Sequence, residues 1–155
     1  MALSLRPYRT DDQNFLFKLY AATRQQEISA WGWSSAQQEA FLRMQFNAQQ
    51  QSYGMTYADA DHQIVVFDDN PIGRILVLRK PEAALLVDIA LLPEYRGRGI
   101  GGGLVRELIE QCNKSKVAVR LQVLRTNPAQ RLYERLGFRK TGEDELYFQM
   151  ERPIG

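Results

Sequence analysis

The chain has 155 residues, of which 45% are hydrophobic and 25% charged, with a formal net charge of +2; these values are typical of one soluble globular domain over residues 1–155. Its apolar runs are shorter than the roughly 20 residues that cross a bilayer, and its first residues lack the apolar core of a signal peptide, so we expect a cytoplasmic protein with no membrane partner. With one cysteine (Cys112) and one histidine (His62), an internal disulfide is excluded and no metal site is expected.

The first half of the chain predicts one strand, two helices and a hairpin. The strand covers residues 3–8, and Asp11 with Asp12 suits the start of a helix whose apolar residues follow at helical spacing. A second helix begins after residues 34–35. Residues 64–67 and 72–78 predict two strands around the turn-forming run from Asp68 to Pro71. The apolar face of the second helix comprises Phe41, Leu42, Met44 and Phe46.

The second half predicts alternating strands and helices. Residues 85–92 are too apolar for an exposed edge and indicate a central strand. A helix follows over residues 100–112, with Cys112 on its apolar stripe, so this thiol is expected in the core and not as a nucleophile. After a strand at 117–124, Asn127 fits a helix cap, Pro128 the first helical position and Gly137 the helix stop. Strands at 138–140 and 146–150 complete an α/β sandwich around a mixed sheet.

The glycine-rich segment 96–103, between the apolar strand and the next helix, is the most informative part of the sequence. The first N–H groups of a helix have no intrahelical partner, and the helix dipole favours an anion there. Glycines let the backbone approach a ligand closely, and Arg96 and Arg98 add charged donors. Residues 96–140 carry 11 basic and 3 acidic side chains, a net charge of +8, whereas residues 1–95 and 141–155 each carry −3. The segment therefore predicts a phosphorylated ligand.

Other phosphate sites and a nucleic-acid surface fit this segment less well. A P-loop needs a lysine followed by serine or threonine, and residues 96–107 contain none of these. Gly97, Gly99 and Gly102 match the G-x-G-x-x-G pattern of dinucleotide sites, but residues 120–123 lack the carboxylate that would hold a ribose, so a nicotinamide enzyme is the weaker alternative. No helix-turn-helix or aromatic-interleaved pattern accompanies the basic residues, so no nucleic-acid partner is expected.

Two blocks of sequence resemble one family. The run Arg96-Gly97-Arg98-Gly99-Ile100-Gly101 resembles the R/Q-x-x-G-x-G/A signature of the GNAT N-acetyltransferase superfamily, and residues 127–138 resemble that family's asparagine-to-phenylalanine region. The clear resemblance covers residues 85–140. It implies an α/β fold with a mixed central sheet, helices on both faces and strands splayed at the cofactor site. The implied cofactor is acetyl-CoA, used as a co-substrate.

The resemblance also implies a set of cofactor-binding residues. Ile89, Ala90 and Leu91 would face the pantetheine arm, with the Leu91 N–H stabilising the thioester oxyanion; an uninterrupted core strand is the alternative. Asn127 would contact the cofactor, cap its helix, or do both. Tyr133 would protonate the departing thiolate as general acid, although its position also suits a packed core residue. The pyrophosphate would be held by Arg96, Gly97, Arg98, Gly99, Ile100, Gly101 and Gly102, unless the two arginines are merely solvated.

The general base and the acceptor site are less sharply indicated. Leu85 and Gln122 stand where relatives place glutamates, which leaves Asp88 as the candidate base; a water chain or an amine that is already deprotonated are the alternatives. His62 is expected at the surface. The acceptor pocket of the family lies largely between the first two helices, where Trp31 and Trp33 flank Gly32 and are the candidate substrate contacts. Core packing explains most of the neighbouring aromatic residues.

These observations predict an N-acetyltransferase that moves acetyl from acetyl-CoA to a primary amine, on a small molecule or a peptide, by direct attack in a ternary complex. The alternative is a non-catalytic acyl-CoA-binding or regulatory module on the same fold. A homodimer is one state that the resemblance allows.

Overall fold

The computed structural model describes residues 3–155 as seven strands and four helices. The helices are α1 (Gln13–Ser29), α2 (Ser35–Thr56), α3 (Ile100–Ser115) and α4 (Ala129–Arg135). The strands are β1 (Leu3–Pro7), β2 (Asp61–Phe67), β3 (Asn70–Arg79), β4 (Ala83–Leu91), β5 (Ala118–Leu124), β6 (Arg139–Glu143) and β7 (Tyr147–Arg152). Of these helices, none combines the length and the apolar character that crossing a bilayer requires.

The strands form one mixed sheet in the order β1-β2-β3-β4-β5-β7-β6. The pairs β1/β2, β5/β7 and β6/β7 are antiparallel, whereas β4 and β5 are parallel. β4 is fourth of seven, which confirms the prediction that the apolar strand is central. The predicted α/β class and mixed sheet are also confirmed.

The chain divides into two compact units. The first unit comprises the residues up to Ile75 together with Ala90–Arg96, and the second comprises Leu76–Ile89 and Gly97–Gly155.

In the first unit, α1, α2 and β2 share an apolar core. Its buried members are Leu16, Leu19, Phe46, Ile64 and Leu92. The second helix begins at Ser35, one residue earlier than predicted, and Ser34 caps it: the Ser34 hydroxyl accepts from the Gln37 N–H at 3.2 Å, and the Gln37 side chain accepts from the Ser34 N–H at 2.9 Å. The predicted hairpin is confirmed, with left-handed Asp68 and Asp69 forming its two-residue turn.

The predicted apolar face of α2 is wrong at Met44. Leu42 and Phe46 lie in the core, but Met44 is 58% exposed. Residues two apart on a helix point roughly 200° apart, so burying Leu42 and Phe46 turns Met44 outward.

In the second unit, α3 packs its apolar stripe into the core, and Cys112 is buried as predicted. Gly137 ends α4 with φ 96°, and the N–H groups of Gly137 and Phe138 donate to the carbonyls of Glu134 and Tyr133, which is a Schellman cap. Pro128 lies one residue before α4, so the helix starts one position later than predicted.

A partly buried ion pair joins β1 to the start of α1. Arg6 donates to both carboxylate oxygens of Asp12, at 2.9 and 2.7 Å, and the Arg9 N–H donates to the same carboxylate at 2.8 Å. Asp12 is only 5% exposed. The hydrogen bonds from Arg6 hold the pKa of the Asp12 carboxyl below its usual value. The pair therefore fixes the turn between the first strand and the first helix.

We predict that Asp12→Asn lowers the free energy of unfolding by about 2 kcal/mol, because the amide leaves Arg6 without its bidentate acceptor. Urea denaturation at pH 7 measures this. The matched control is Asp11→Asn, whose exposed carboxylate lies 3.5 Å from Arg9 and should change stability by less than about 0.5 kcal/mol. Equal effects of the two substitutions would contradict the role assigned to Asp12.

Candidate functional site

The start of α3 presents unpaired backbone donors. Gly97 and Gly99 adopt left-handed conformations, with φ of 74° and 80°, which other residues rarely adopt. Gly99 caps α3, and its carbonyl accepts from the Gly103 N–H at 3.0 Å. The N–H groups of the first helical turn, from Ile100 onwards, have no intrahelical acceptor. No acidic side chain occupies that turn, so this end of the helix suits an anion.

Arginine side chains surround this helix start. The Arg106 guanidinium lies 3.8 Å from where a Cβ on Gly102 would be, which places its charge beside the first turn. Arg98 is exposed on the loop. Sequence reasoning missed Arg106; its position four residues after Gly102, one helical turn on, is the signal that could have found it.

Three further predicted site residues lie in the same unit. The Asn127 side-chain oxygen accepts from the Ala129 N–H at 2.9 Å, but the N-cap position of α4 is held by Pro128, so the predicted cap lies one residue early. Tyr133 is buried, at 8% exposure, with its ring edge-to-face against Phe138. Burial raises the pKa of the Tyr133 hydroxyl, and the negative charge of Asp88 raises it further. The fold therefore brings Asp88 and Tyr133, 45 residues apart in sequence, within electrostatic range.

The parallel pairing between β4 and β5, in the second unit, ends at Leu86. In the described chain, β4 and β5 are in register from Ala83↔Ala118 to Leu86↔Leu121, although β4 continues to Leu91 and β5 to Leu124. Residues 87–89 and 122–124 therefore extend past the paired region. This is the splay that the family resemblance implied.

At the two positions where the family resemblance implies a glutamate in some relatives, this chain has residues that do not ionise. Leu85 is half-buried in β4, and the Gln122 side chain in β5 accepts from the Gln149 amide at 3.2 Å. The two strands β4 and β5 contain one carboxylate, that of Asp88, which is half-buried on β4.

In the first unit, the end of β4 is anchored by Arg96. The Arg96 Nε donates to the Leu91 carbonyl at 3.0 Å, and the Leu92 N–H donates to the Ile72 carbonyl at 2.8 Å. Leu91 is buried and Ala90 half-buried. One nitrogen of Arg96 is thus engaged by backbone, which leaves its two terminal nitrogens for the predicted phosphate contact.

The first unit also contains an aromatic cluster at the α1–α2 connection. Trp31, Trp33 and Phe41 contact one another edge-to-face, with centroids 5.1–5.5 Å apart. Both tryptophans are partly exposed, at 42% and 39%. Beside them lies an apolar cavity of about 380 Å³, lined by Trp33, Gln37, Ala40, Phe41 and Met44. Met44, which helix geometry turns away from the core, is part of this lining.

The prediction that His62 is a surface residue is wrong. Its ring stacks on Tyr8 at 4.6 Å, and its Nε2 is buried without a hydrogen-bond partner. Burial, followed by the positive charge of Arg74, lowers the pKa of His62 to about 4. Arg74, which sequence reasoning also missed, is buried on β3, donates to the Gln49 side chain at 3.1 Å and lies over the Tyr53 ring.

Comparisons with known proteins agree on one family. Residues 59–140 match the family described as "Acetyltransferase (GNAT) domain". A Bacillus subtilis (strain 168) protein, provisionally named ribosomal protein bS18-alanine N-acetyltransferase, is 32% identical over 96 residues, which is 52% of this chain and 63% of that protein. The ribosomal protein bS18-alanine N-acetyltransferase of Haemophilus influenzae is 37% identical over 68 residues, 43% of this chain and 47% of that protein. The chain thus spans less than two thirds of either relative's length.

A solved structure extends the similarity to the whole fold. The crystal structure of PaiA N-acetyltransferase from Thermoplasma acidophilum in complex with coenzyme A superposes with a TM-score of 0.73, over 99% of both chains at 23% sequence identity. At this identity the match demonstrates a shared fold.

We predict that His62 makes the protein less stable in acid. The pKa of His62 is about 4 in the folded chain and 6.5 in the unfolded chain. As pH falls below 6.5, the unfolded chain therefore binds a proton at His62 before the folded chain does. The stability associated with neutral His62 is complete above pH 6.5 and is lost as pH falls towards 4. Denaturation at pH 7, 6 and 5 measures this loss. His62→Gln, which cannot take up the proton, should reduce the pH dependence in this window; an unchanged dependence would contradict the assignment.

Proposed function

Because the chain belongs to the GNAT acetyltransferase family, we propose that it transfers the acetyl group of acetyl-CoA to a primary amine. The observation that carries this proposal is the start of α3, where left-handed Gly97 and Gly99 leave backbone donors open inside the positive segment 96–140. The coenzyme A bound to the solved PaiA structure supports the same cofactor here. We propose one acyltransferase domain over residues 1–155, in the cytoplasm; a homodimer stays a prediction.

The pyrophosphate of the cofactor would lie on the first turn of α3. Its oxygens would accept from the backbone of Gly97, Gly99, Ile100, Gly101 and Gly102, and the charges of Arg96, Arg98 and Arg106 would offset its own. The pantetheine arm carries two amides that need backbone partners. The stretch of β4 beyond its pairing with β5, which ends in Ile89, Ala90 and Leu91, would supply them. The Asn127 side-chain nitrogen would contact the cofactor, because the Asn127 oxygen already accepts from the Ala129 N–H.

The reaction would proceed by direct attack in a ternary complex. The amine nitrogen attacks the thioester carbon, and the Leu91 N–H stabilises the negative charge on the oxygen. The C–S bond then breaks, Asp88 as general base would take the proton that the nitrogen loses, and the coenzyme A sulfur would gain a proton from Tyr133, which is reprotonated from solvent. The Tyr133 hydroxyl is protonated at neutral pH, because the ordinary pKa of tyrosine is about 10 and burial raises it. A thiolate of ordinary pKa about 8.5 gains from a positioned donor without depending on it.

The acceptor would enter at the aromatic cluster of the first unit. The partly exposed Trp31 and Trp33, with the apolar cavity beside Trp33, suit an amine that carries apolar groups. The relatives are named for acetylating an alanine of a ribosomal protein, so a peptide with an N-terminal alanine is the first acceptor to test. Small-molecule amines are the second class.

A non-catalytic acyl-CoA-binding module is the second candidate function. It is favoured by Leu85 and Gln122, which stand in place of the family's glutamates. The discriminating experiment follows free thiol release from acetyl-CoA with N-terminal alanine peptides, amino acids, polyamines and amine antibiotics. Release with at least one amine supports the transferase. Acetyl-CoA binding without release for any amine supports the binding module.

For Tyr133→Phe we expect kcat to fall tenfold to a hundredfold while the dissociation constant for coenzyme A stays within twofold, because the ring remains and only the donor is lost. Steady-state thiol release and calorimetry measure the two quantities. Tyr57→Phe, at the end of α2, is the matched control and should leave both unchanged. Full turnover by the Tyr133 variant would remove this hydroxyl from the mechanism.

For Asp88→Asn we expect kcat to fall about a hundredfold at pH 7, as is typical when a general base is lost. The deficit should shrink as pH approaches the pKa of the amine, because an amine that is already neutral needs no base. A pH–rate profile tests this, with the exposed Asp59→Asn as control. A deficit that is constant with pH would indicate that Asp88 orients the substrate, and no deficit would favour a water chain.

A further inference from the structure

Gly73, on β3, leaves no room for a side chain. A Cβ at this position would lie 2.2 Å from the Ala90 carbonyl oxygen and 2.7 Å from the Leu91 Cδ2, whereas real Cβ contacts essentially never fall below 3.0 Å. Gly73 is not among the glycines with positive φ, so its backbone conformation is open to other residues. Space alone requires glycine here.

The atom that a Cβ would strike, the Ala90 oxygen, belongs to the peptide whose N–H is the proposed donor to the thioester oxyanion. The carbonyl of Ala90 and the N–H of Leu91 are the two ends of one planar peptide group. An alanine at position 73 would have to push the Ala90 oxygen away by at least 0.8 Å to reach 3.0 Å. Because the group is planar, the Leu91 N–H would move or tilt with it.

The next peptide along the chain, Leu91–Leu92, is held at both ends. The Leu91 carbonyl accepts from the Arg96 Nε at 3.0 Å. The Leu92 N–H donates to the Ile72 carbonyl at 2.8 Å, next to Gly73 itself. A displacement of the Ala90 carbonyl is therefore resisted on the Leu92 side and falls first on the Ala90–Leu91 peptide.

We propose that Gly73 is a positioning residue for acetyl transfer: its empty side-chain position sets the orientation of the Ala90–Leu91 peptide, and hence of the Leu91 N–H toward the thioester oxygen. This inference rests on the proposed function. It assigns Gly73 a role that none of the sequence motifs indicated. Preorganised donors contribute to catalysis only when their direction is fixed, and loss of one such donor typically lowers kcat by 10²–10³.

The test is Gly73→Ala in the full chain. We expect kcat for thiol release to fall at least tenfold and the dissociation constant for coenzyme A to rise by a smaller factor, since the displaced peptide is one of several proposed cofactor contacts but the one proposed donor to the oxyanion. The amide resonance of Leu91 in a ¹H–¹⁵N spectrum should shift. The matched control is Gly54→Ala on α2, where a Cβ meets nothing within 4 Å; its kcat should equal that of the native chain.

A second variant covers the case in which Gly73→Ala does not fold. In Gly73→Ala/Ala90→Gly, the flexible glycine at position 90 lets the peptide move away from the new methyl group. The steric clash is then relieved, but the Leu91 N–H stays misplaced. We expect this variant to fold and to keep the low kcat.

Native-like kcat in either variant, or a loss of kcat with an unmoved Leu91 amide resonance, would overturn the proposal. Absence of thiol release from the native chain with every amine would instead mean that the proposed transferase function has failed. The two failures are therefore distinguishable.

Discussion

The end of parallel pairing between β4 and β5 is the constraint on which the site depends. Beyond Leu86↔Leu121 the two strands continue without a shared ladder. Unpaired backbone groups cost free energy unless water or a ligand satisfies them, by roughly 1–3 kcal/mol each when buried. A strand pair that parts in the middle of a sheet is therefore suited to a ligand that itself carries amides. The proposed pantetheine arm has this chemistry.

Charge and backbone geometry at the start of α3 then favour a phosphate group at the other end of the ligand. The left-handed Gly97 and Gly99 turn the chain into α3 so that its first N–H groups face outwards. Arg106 adds charge next to the same turn, within a segment whose net charge is +8. These features act on phosphate oxygens and not on the acetyl group, so they identify the cofactor class without specifying the acceptor. The aromatic cluster at Trp31 and Trp33 belongs to the first unit and differs from the rest of the proposed site by being apolar.

Local sequence rules predicted the parts of the fold that depend on local interactions. The turn at Asp68–Asp69 and the stop at Gly137 each rest on hydrogen bonds or dihedral preferences within a few residues. The residue types at these positions fix the outcome almost independently of the remaining chain. The glycine loop was predictable for the same reason.

Features that depend on pairing between distant segments were not predictable. The burial of His62 requires Tyr8 to stack on it, and the close approach at Gly73 requires β3 to pass Ala90. Arg74 gives no signal in the sequence, because a buried arginine on a strand violates the usual apolar pattern. For the candidate site, the cofactor residues followed from local motifs and family resemblance. The proximity of Asp88 to Tyr133 is a property of the folded chain alone.

Calorimetric titration of the full chain with acetyl-CoA and, separately, with NAD tests the central claim most directly, because the glycine pattern by itself suits either ligand. We predict saturable one-to-one binding of acetyl-CoA that weakens as salt is raised, since the contacts are to phosphate charges, and no heat from NAD at the same concentrations. Binding of NAD without binding of acetyl-CoA would contradict the assignment of the α3 site to coenzyme A.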